Sequence, residues 1–162
     1  MIKIRSGIGY DIHKLESGNS LYIGGIKVSD QYSFIAHSDG DVLIHALIDS
    51  LFGAVGENDI GEVFPNTDSK YKNIDSKLLL KYSLDYLNDK NFEIINIDSI
   101  IISELIQISP HKQKIRKKIS SILNIDMEDF NLKAKTKEGI DDPIGRGEAI
   151  ECYCTVMIRY KE

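Results

Sequence analysis

The sequence is poor in features that mark several protein classes. Its 162 residues include three prolines and no stretch rich in Pro, Gly and Ser, so no interdomain linker is predicted. No apolar run approaches the ~18 residues that span a bilayer, and the N-terminus lacks the pattern of a signal peptide. We therefore expect a cytoplasmic protein without a membrane partner. A plastid-type compartment would fit the same sequence if a transit peptide had been removed.

Cysteine is scarce as well. Cys152 and Cys154 are the only two, in the segment "AIECYCTVMIRY". They would share one face of a strand, which is a poor geometry for a disulfide, and no second Cys/His pair is present to complete a zinc ribbon. We expect two small, buried, apolar side chains in a reducing compartment.

There is also no excess of basic charge. Twenty Lys and Arg residues stand against twenty-five Asp and Glu, a net charge of −5, which argues against a nucleic-acid partner. One basic cluster, "HKQKIRKKIS" at 111–120, contains Ile115 and Ile119 at helical spacing. We interpret it as the solvated face of a helix rather than as a polyanion site.

The pattern of hydrophobic residues predicts one domain of class α/β (α+β), in which strand-like and helix-like segments alternate. Predicted strands cover 1–13, 92–103, 130–136 and 149–160, with a hairpin over 21–28 that turns on Gly24-Gly25; predicted helices cover 37–56, Asp75 to Leu87 and a segment after Pro110. In the first helix, Ser38 and Asp41 resemble a capping box, and Gly53 or Gly56 is the predicted stop.

The run "SGIGYDIHKL", residues 6–15, has two distinct sides when read as a strand. Its isoleucines lie on one side, and Gly7, Gly9, Asp11 and His13 lie on the other. A dinucleotide fingerprint would need a third glycine leading into a helix, so the two glycines instead indicate a bulge or the close approach of another backbone. We expect the isoleucines to face the core and the polar residues to be free for ligands.

Asp11 and His13 lie two residues apart, ~6.6 Å along a strand, and could converge on one ion. His45, on the clearest helix, would complete two imidazoles and one carboxylate, typical of a catalytic zinc site with an open position. Alternatively, His45 is an ordinary partly buried side chain, or the set is a non-haem iron triad. Asp41 or Asp49, each one turn from His45, could orient its imidazole or be solvated.

Four segments carry a resemblance to a known family. "GIGYDIHKL", the block at 36–76, "KAKTKEGI" and "GRGEAI" resemble the 2-C-methyl-D-erythritol 2,4-cyclodiphosphate synthases over nearly the whole chain. The resemblance implies a homotrimer, each subunit a small mixed sheet with helices packed on one face, with active sites between subunits. It also implies a lyase of non-mevalonate isoprenoid biosynthesis, which converts 4-diphosphocytidyl-2-C-methyl-D-erythritol 2-phosphate to the cyclic diphosphate and CMP. We expect one such domain over 1–162, without the second activity of fused members.

The resemblance also implies cofactors and roles. It places zinc at Asp11, His13 and His45, and a second divalent cation, magnesium or manganese, on the diphosphate with Glu138 as ligand. His37 and Thr136 match catalytic positions that stabilise the transition state. The substrate-binding positions that it implies are Asp11, His13, His37, Ser38, Asp59, Ile60, Gly61, Phe64, Pro65, Asn66, Thr67, Asp68, Ser103, Glu104, Leu105, Ile106, Gln107, Ile108, Ser109, Lys135, Thr136, Lys137, Glu138 and Arg146.

Several positions depart from the family pattern. Lys135 and Lys137 replace threonines, Asn66 replaces an aspartate, and Ile106-Gln107 replaces Pro-Lys. These departures motivate an alternative function, a non-catalytic trimer that binds an isoprenoid diphosphate.

The segment before Arg146 holds one residue more than the family pattern. Asp142 and Pro143 are therefore both candidates for the residue that lines the pocket ahead of the arginine.

Overall fold

Seven strands and four α-helices make up the described part of the chain, in a computed structural model that describes residues 3–36, 38–65, 67–71 and 74–161. The elements are β1 (Ile4–Ser17), β2 (Leu21–Ile23), β3 (Ile26–Ser29), β4 (Tyr32–Ile35), α1 (Val42–Val55), α2 (Ile60–Val63), α3 (Ser76–Asp89), β5 (Phe92–Ile102), α4 (Lys112–Leu123), β6 (Phe130–Lys135) and β7 (Ala149–Tyr160). The long predicted strands and helices are confirmed. The sequence pattern had not indicated β4 or the short α2.

Five strands form one mixed sheet in the order β4-β1-β7-β5-β6. Strands β5 and β6 are parallel, and the other neighbours are antiparallel. Helices α1, α3 and α4 pack on one face of this sheet, so the predicted fold class is confirmed. Within the described residues, no helix combines the length and apolar character needed to cross a bilayer.

The core lies between the sheet and the helices. Helix α1 is buried nearly all round, whereas α4 buries Ile115 and Ile119 and exposes lysines on its other side. The basic cluster is therefore the solvated face of an amphipathic helix, as predicted. Cys152 and Cys154 are buried free thiols on the core side of β7, and burial raises the pKa of Cys154 to about 12.

The two sides of β1 do not have the environments that the sequence suggested. A Cβ added to Gly9 would lie 1.8 Å from the carbonyl oxygen of Ala46, and one added to Gly7 would lie 2.0 Å from that of Ser50. The glycines thus mark close approach of the α1 backbone, as predicted. The expectation that the isoleucines face the core is wrong: Ile8 is 70% exposed. Helix α1 packs on the glycine side of β1, because only there can the helix backbone come close to the strand, and the isoleucines lie on the opposite side.

Asp41, rather than Ser38, is the N-cap of the first helix. The fully buried Asp41 carboxylate accepts from Ile44 N at 3.2 Å, and from the hairpin nitrogens of Gly24 and Gly25 at 2.9 and 2.7 Å. It therefore caps α1 and ties the β2–β3 turn to the helix. The predicted capping box at Ser38 is wrong; α1 ends at Val55, and Gly56, one of the two predicted stops, is its C-cap.

Candidate active site

Asp11, His13 and His45 meet at the start of α1. His45 Nδ1 lies 3.1 Å from Asp11 Oδ2 and 3.2 Å from His13 Nε2, and 3.4 Å separates His13 Nε2 from Asp11 Oδ2. Asp11 and His13 point from the helix side of β1, and His45 faces them because the strand's glycines let α1 approach. The predicted ligands form one cluster that could hold a metal ion.

The spacing of these donor atoms suits zinc. Tetrahedral zinc with bonds of about 2.0–2.1 Å to nitrogen and oxygen places neighbouring ligand atoms about 3.3 Å apart. The three sides of the triangle, 3.1, 3.2 and 3.4 Å, agree with that separation. Three protein ligands also leave one position of a tetrahedron for a substrate oxygen.

Hydrogen bonds on the far sides of the rings select the nitrogens that face the cluster. His13 Nδ1 lies 2.8 Å from the carbonyl oxygen of Ile12, which only accepts. This nitrogen is therefore the donor, and the lone pair of His13 Nε2 is free for the cluster. His45 turns Nε2 away toward Ser76, at 2.9 Å, and presents Nδ1.

The Asp11 carboxylate affects the two imidazoles differently. Burial lowers the pKa of His13 and outweighs the opposing charge of Asp11. Burial also lowers the pKa of His45, but the hydrogen bond and the charge of Asp11 together raise it above its ordinary value. The two shifts favour His45 over His13 as the site of a proton in the cluster, and metal binding competes with that proton.

The carboxylates expected to orient His45 are engaged elsewhere. Asp41 caps α1, and Asp49 accepts from Ile60 N at 2.7 Å. The structure instead places Ser76 and Ser38 hydroxyls 2.9 and 3.3 Å from His45 Nε2. Sequence reasoning missed Ser76, because a serine at the start of a helix more than thirty residues away carries no signal of this contact.

A cavity of about 270 Å³ opens beside the cluster. Among the predicted residues, its lining includes the three ligands together with Ser38, Ile60, Gly61 and Phe64. Ile35, Ala36, Tyr71, Ile74 and Leu79 also line it and were not predicted. We name this space the cluster cavity.

Four predicted loop residues do not line the cluster cavity. Asp59 caps α2 by accepting from Glu62 N at 3.0 Å, Thr67 is exposed, and Asp68 pairs with Lys70 at 2.9 Å; Pro65 is half-buried. The predictions for His37 and Asn66 fall outside the described residues.

A second cavity, of about 520 Å³, lies where β5 and β6 end. Because these strands are parallel, their C-terminal ends meet at one edge of the sheet. The lining comprises Ser103, Glu104, Ile106, Gln107, Ile108, Ser109, Pro110, Ala134, Lys135, Thr136 and Glu138. We name it the strand-end cavity; it gathers six of the seven predicted substrate-binding residues of 103–109, together with Lys135, Thr136 and Glu138.

Other predicted residues flank the strand-end cavity without lining it. Lys137 donates its backbone N–H to Glu104 at 3.0 Å and places its ammonium 3.3 Å from Glu151. Leu105 packs against Gly147. The side chain of Arg146 pairs with Asp141 and Glu148, at 2.6 and 2.7 Å.

Neither candidate for the residue ahead of Arg146 lines the strand-end cavity. Asp142 accepts from Gly145 N at 2.8 Å, and Pro143 is exposed.

Known proteins similar to this chain cover almost all of it. A 2-C-methyl-D-erythritol 2,4-cyclodiphosphate synthase of Clostridium acetobutylicum is 46% identical, over 96% of this chain and 99% of its own length. One from Aquifex aeolicus is 39% identical, over 97% and 98%. A bifunctional enzyme IspD/IspF of Aliarcobacter butzleri is 45% identical over 96% of this chain, which spans only 41% of that longer protein.

Solved structures show the same fold. The bifunctional IspDF from Campylobacter jejuni superposes with a TM-score of 0.95 at 36% identity, covering 100% of this chain and 44% of its own. The IspF of Plasmodium falciparum in a CDP complex gives 0.87 at 36% identity, covering 98% and 97%. The model of the YgbB family matches residues 4–159, a range that includes the ligand cluster and both cavities. The chain therefore belongs to the YgbB family.

Proposed function

We propose that this chain, as a single domain over residues 1–162, closes 4-diphosphocytidyl-2-C-methyl-D-erythritol 2-phosphate to 2-C-methyl-D-erythritol 2,4-cyclodiphosphate and CMP. The observation that carries the proposal is the triangle of donor atoms from Asp11, His13 and His45 beside a cavity. The relatives of similar length are synthases of this name, and one solved relative is a CDP complex. The buried thiols suit a reducing compartment such as the cytoplasm.

To catalyse this reaction, the protein must position the substrate and stabilise its negative charge. An oxygen of the 2-phosphate bonds to the β-phosphorus while the bond from that phosphorus to the bridging oxygen breaks, and CMP leaves with the bridging oxygen. Two anions must approach each other, so binding has to fold the substrate and offset its charge. The cluster cavity offers the apolar walls of Ile60 and Phe64 to the methylerythritol carbons.

Asp11, His13 and His45 would hold a zinc ion, which supplies Lewis-acid stabilisation to a phosphate oxygen when bound. His37 lies just before α1 in the sequence, and its role is to donate to a phosphoryl oxygen. Ser38 at the rim of the cavity offers a further hydroxyl donor.

The strand-end cavity is the proposed nucleotide site. Ser103–Ser109 would wrap the cytidine chiefly through main-chain groups, and Lys135 would contact phosphate. Thr136 Oγ1 donates to Glu138 Oε1 at 2.6 Å, which leaves Glu138 Oε2 for a magnesium or manganese ion on the diphosphate. One carboxylate together with substrate phosphates is the usual ligand set for magnesium. The remaining predicted substrate contacts, from Asp59 to Asp68, Lys137 and Arg146, stay part of this proposal.

Assembly into a homotrimer is the proposed way to join the two cavities. The cluster cavity and the strand-end cavity share no lining residue, so a substrate that needs both is served by two neighbouring copies. On the side of the sheet away from the helices, Ile4, Ile8, Tyr10, Ile12, Tyr153 and Met157 are each at least 39% exposed. An exposed apolar patch of this kind is typical of an interface, and here its occupant is a second copy of the chain.

Loss of one ligand gives the test of the proposed activity. We expect His45→Ala to lower CMP release by at least about 10³-fold and to lose zinc in elemental analysis. His111→Ala is the matched control, since His111 makes no side-chain cap bond at the start of α4 and should release CMP at the wild-type rate. Absence of CMP release from a zinc- and magnesium-loaded wild-type trimer would refute the proposal.

Titration with CMP and CDP separates the proposed enzyme from the alternative isoprenoid-diphosphate binder. Saturable nucleotide binding that Glu138→Gln weakens in the presence of magnesium supports the enzyme. A protein that binds a prenyl diphosphate and ignores both nucleotides would support the alternative. Elemental analysis of the metal bound on purification likewise distinguishes zinc from the iron triad.

A further inference from the structure

His45 is linked through Ser76 to a second carboxylate that the proposed chemistry does not use. Ser76 is the first residue of α3 and is fully buried. Its Oγ lies 2.9 Å from His45 Nε2 and donates a hydrogen bond to Asp39 Oδ1. Asp39 Oδ2 accepts from the Ser76 backbone N–H at 3.0 Å, so serine and aspartate are held together by two bonds.

The proton on the serine hydroxyl determines the direction of this chain. A hydroxyl has one proton to give, and a carboxylate can only accept. Since Ser76 gives its proton to Asp39, its oxygen is the acceptor in the 2.9 Å contact with His45, which places a proton on Nε2; the Ser38 hydroxyl is the more distant neighbour of this nitrogen, at 3.3 Å. Asp39 Oδ1 also accepts from Asp41 N at 3.2 Å, which ties the carboxylate to the start of α1.

We infer that Asp39 and Ser76 are positioning residues for the metal ligand His45: they keep a proton on Nε2, so that Nδ1 is the nitrogen left to bind a metal ion between Asp11 and His13. Ligand imidazoles are commonly fixed by such a bond to the second nitrogen. At His13 the corresponding hydrogen bond runs from Nδ1 to the Ile12 carbonyl. The inference rests on the proposed zinc site and adds two residues that touch neither metal nor substrate.

Zinc affinity gives a readout separate from catalysis. In a chelator competition on the full chain, we expect Ser76→Ala and Asp39→Asn to weaken zinc binding about 10- to 100-fold. In Asp39→Asn, an amide N–H can face Ser76 Oγ, which frees the hydroxyl to donate to Nε2 and favours the wrong tautomer. Ser76→Thr keeps the hydroxyl and should restore zinc affinity.

Ser83→Ala controls for the loss of a buried hydroxyl from the same helix. Ser83 lies about two turns beyond Ser76 on α3 and donates to the Leu79 carbonyl at 2.9 Å, and its truncation should leave zinc affinity unchanged. Should Ser76→Ala fail to fold, Asp39→Asn and Ser76→Thr still decide the question.

Nitrogen-15 NMR of the zinc-loaded full chain provides the spectroscopic test. We expect a protonated Nε2 on His45 in wild type, and faster solvent exchange of that proton in Ser76→Ala. An unprotonated Nε2, or zinc affinity that neither Ser76→Ala nor Asp39→Asn changes, overturns the inference. Failure of the proposed function looks different: wild type would bind zinc tightly and release no CMP.

Discussion

The two sides of β1 carry residues of opposite character, and the fold uses them in the opposite way to what their polarity suggests. The glycine side, with Asp11 and His13, is covered by α1 and leads into the metal-ligand cluster. The isoleucine side, with Tyr10 among its members, faces away from the helices and is largely exposed in the single chain.

The difference shows that backbone contact decided the packing of this strand. A helix that crosses directly over a strand needs positions without a Cβ, and only one side of β1 provides them. The isoleucines are then left for another partner. We therefore assign the covered side to folding and to the candidate metal site, and the open side to the proposed assembly.

Adding one methyl group to the covered side should have the largest effect. Gly9→Ala would place Cβ 1.8 Å from the Ala46 carbonyl oxygen and 2.7 Å from Ser50 N, both backbone atoms of α1. We expect a loss of about 3 kcal/mol or more in the free energy of unfolding, with loss of zinc, measured by urea titration and elemental analysis.

Gly53→Ala gives the matched control, because Gly53 lies on the α1 side of the contact between α1 and β1. A Cβ at Gly53, inside α1, meets only the Ile8 carbonyl oxygen, at 3.7 Å. Alanine is the better helix former, so we expect stability to rise by up to about 1 kcal/mol. Equal stability of Gly9→Ala and wild type would contradict the assignment of the covered side.

A charge on the open side should break assembly without unfolding the subunit. Ile8→Asp puts a carboxylate at a position that is 70% exposed in the single chain, so folding costs little, but burying that charge between copies is unfavourable. We expect sedimentation to show single subunits with native circular dichroism, and CMP release to fall by about 10²-fold or more, since each proposed site needs two copies.

Leu78→Asp is the control for this charge. Leu78 is 53% exposed, but on α3 in the helix layer, and its replacement should leave the trimer intact. Trimers of Ile8→Asp with full activity would show that the open side is not the interface.

The smallest expected effect concerns a polar contact within the open side. Tyr10 donates to the buried Glu151 carboxylate at 3.1 Å, and Tyr10→Phe should cost about 1 kcal/mol. Burial, reinforced by Glu151, raises the pKa of Tyr10 from 10.0 to about 12. The unfolded chain thus ionises first, so this contribution to stability is complete below pH 10 and is lost as the pH rises to 12.

Alkaline unfolding measures the Tyr10 effect directly. Stability of Tyr10→Phe should fall less steeply than that of wild type between pH 10 and 12. Tyr82→Phe, which removes a hydroxyl from a residue that is 61% exposed on α3, should keep the wild-type slope. Identical slopes for Tyr10→Phe and wild type would mean that Tyr10 titrates as it does in the unfolded chain.

Much of the fold follows from local pattern. Alternation predicted β5, β6 and β7, and helical periodicity with turn residues predicted α1, α3 and α4, because each element buries one regularly spaced set of side chains. The pattern failed at β4 and α2, which are four residues each and too short to display a period. It also misplaced the start of α1, because the carboxylate of the true cap, Asp41, is held in place by a hairpin seventeen residues away as well as by Ile44 N.

For the site, residue type and spacing indicated the ligands Asp11, His13 and His45, and the structure brings them together. The same reasoning chose the wrong carboxylates around His45. Asp41 and Asp49 were nearest along the helix, whereas the group that contacts the second nitrogen of His45 is the Ser76 hydroxyl, which in turn donates to Asp39. Contacts between segments depend on how elements pack, which a helical period does not describe.

By itself, then, the sequence determined the longer elements, the chemical nature of the candidate metal ligands and the resemblance to a family, because these depend on residue type and short-range spacing. The tertiary structure decided which side of β1 became the interior, where the two cavities lie, and which hydroxyl orients His45. These features arise only when α1 packs against the glycines of β1 and α3 places Ser76 in contact with the His45 imidazole. Close packing of backbones is a long-range constraint, and no local pattern of polarity encodes it.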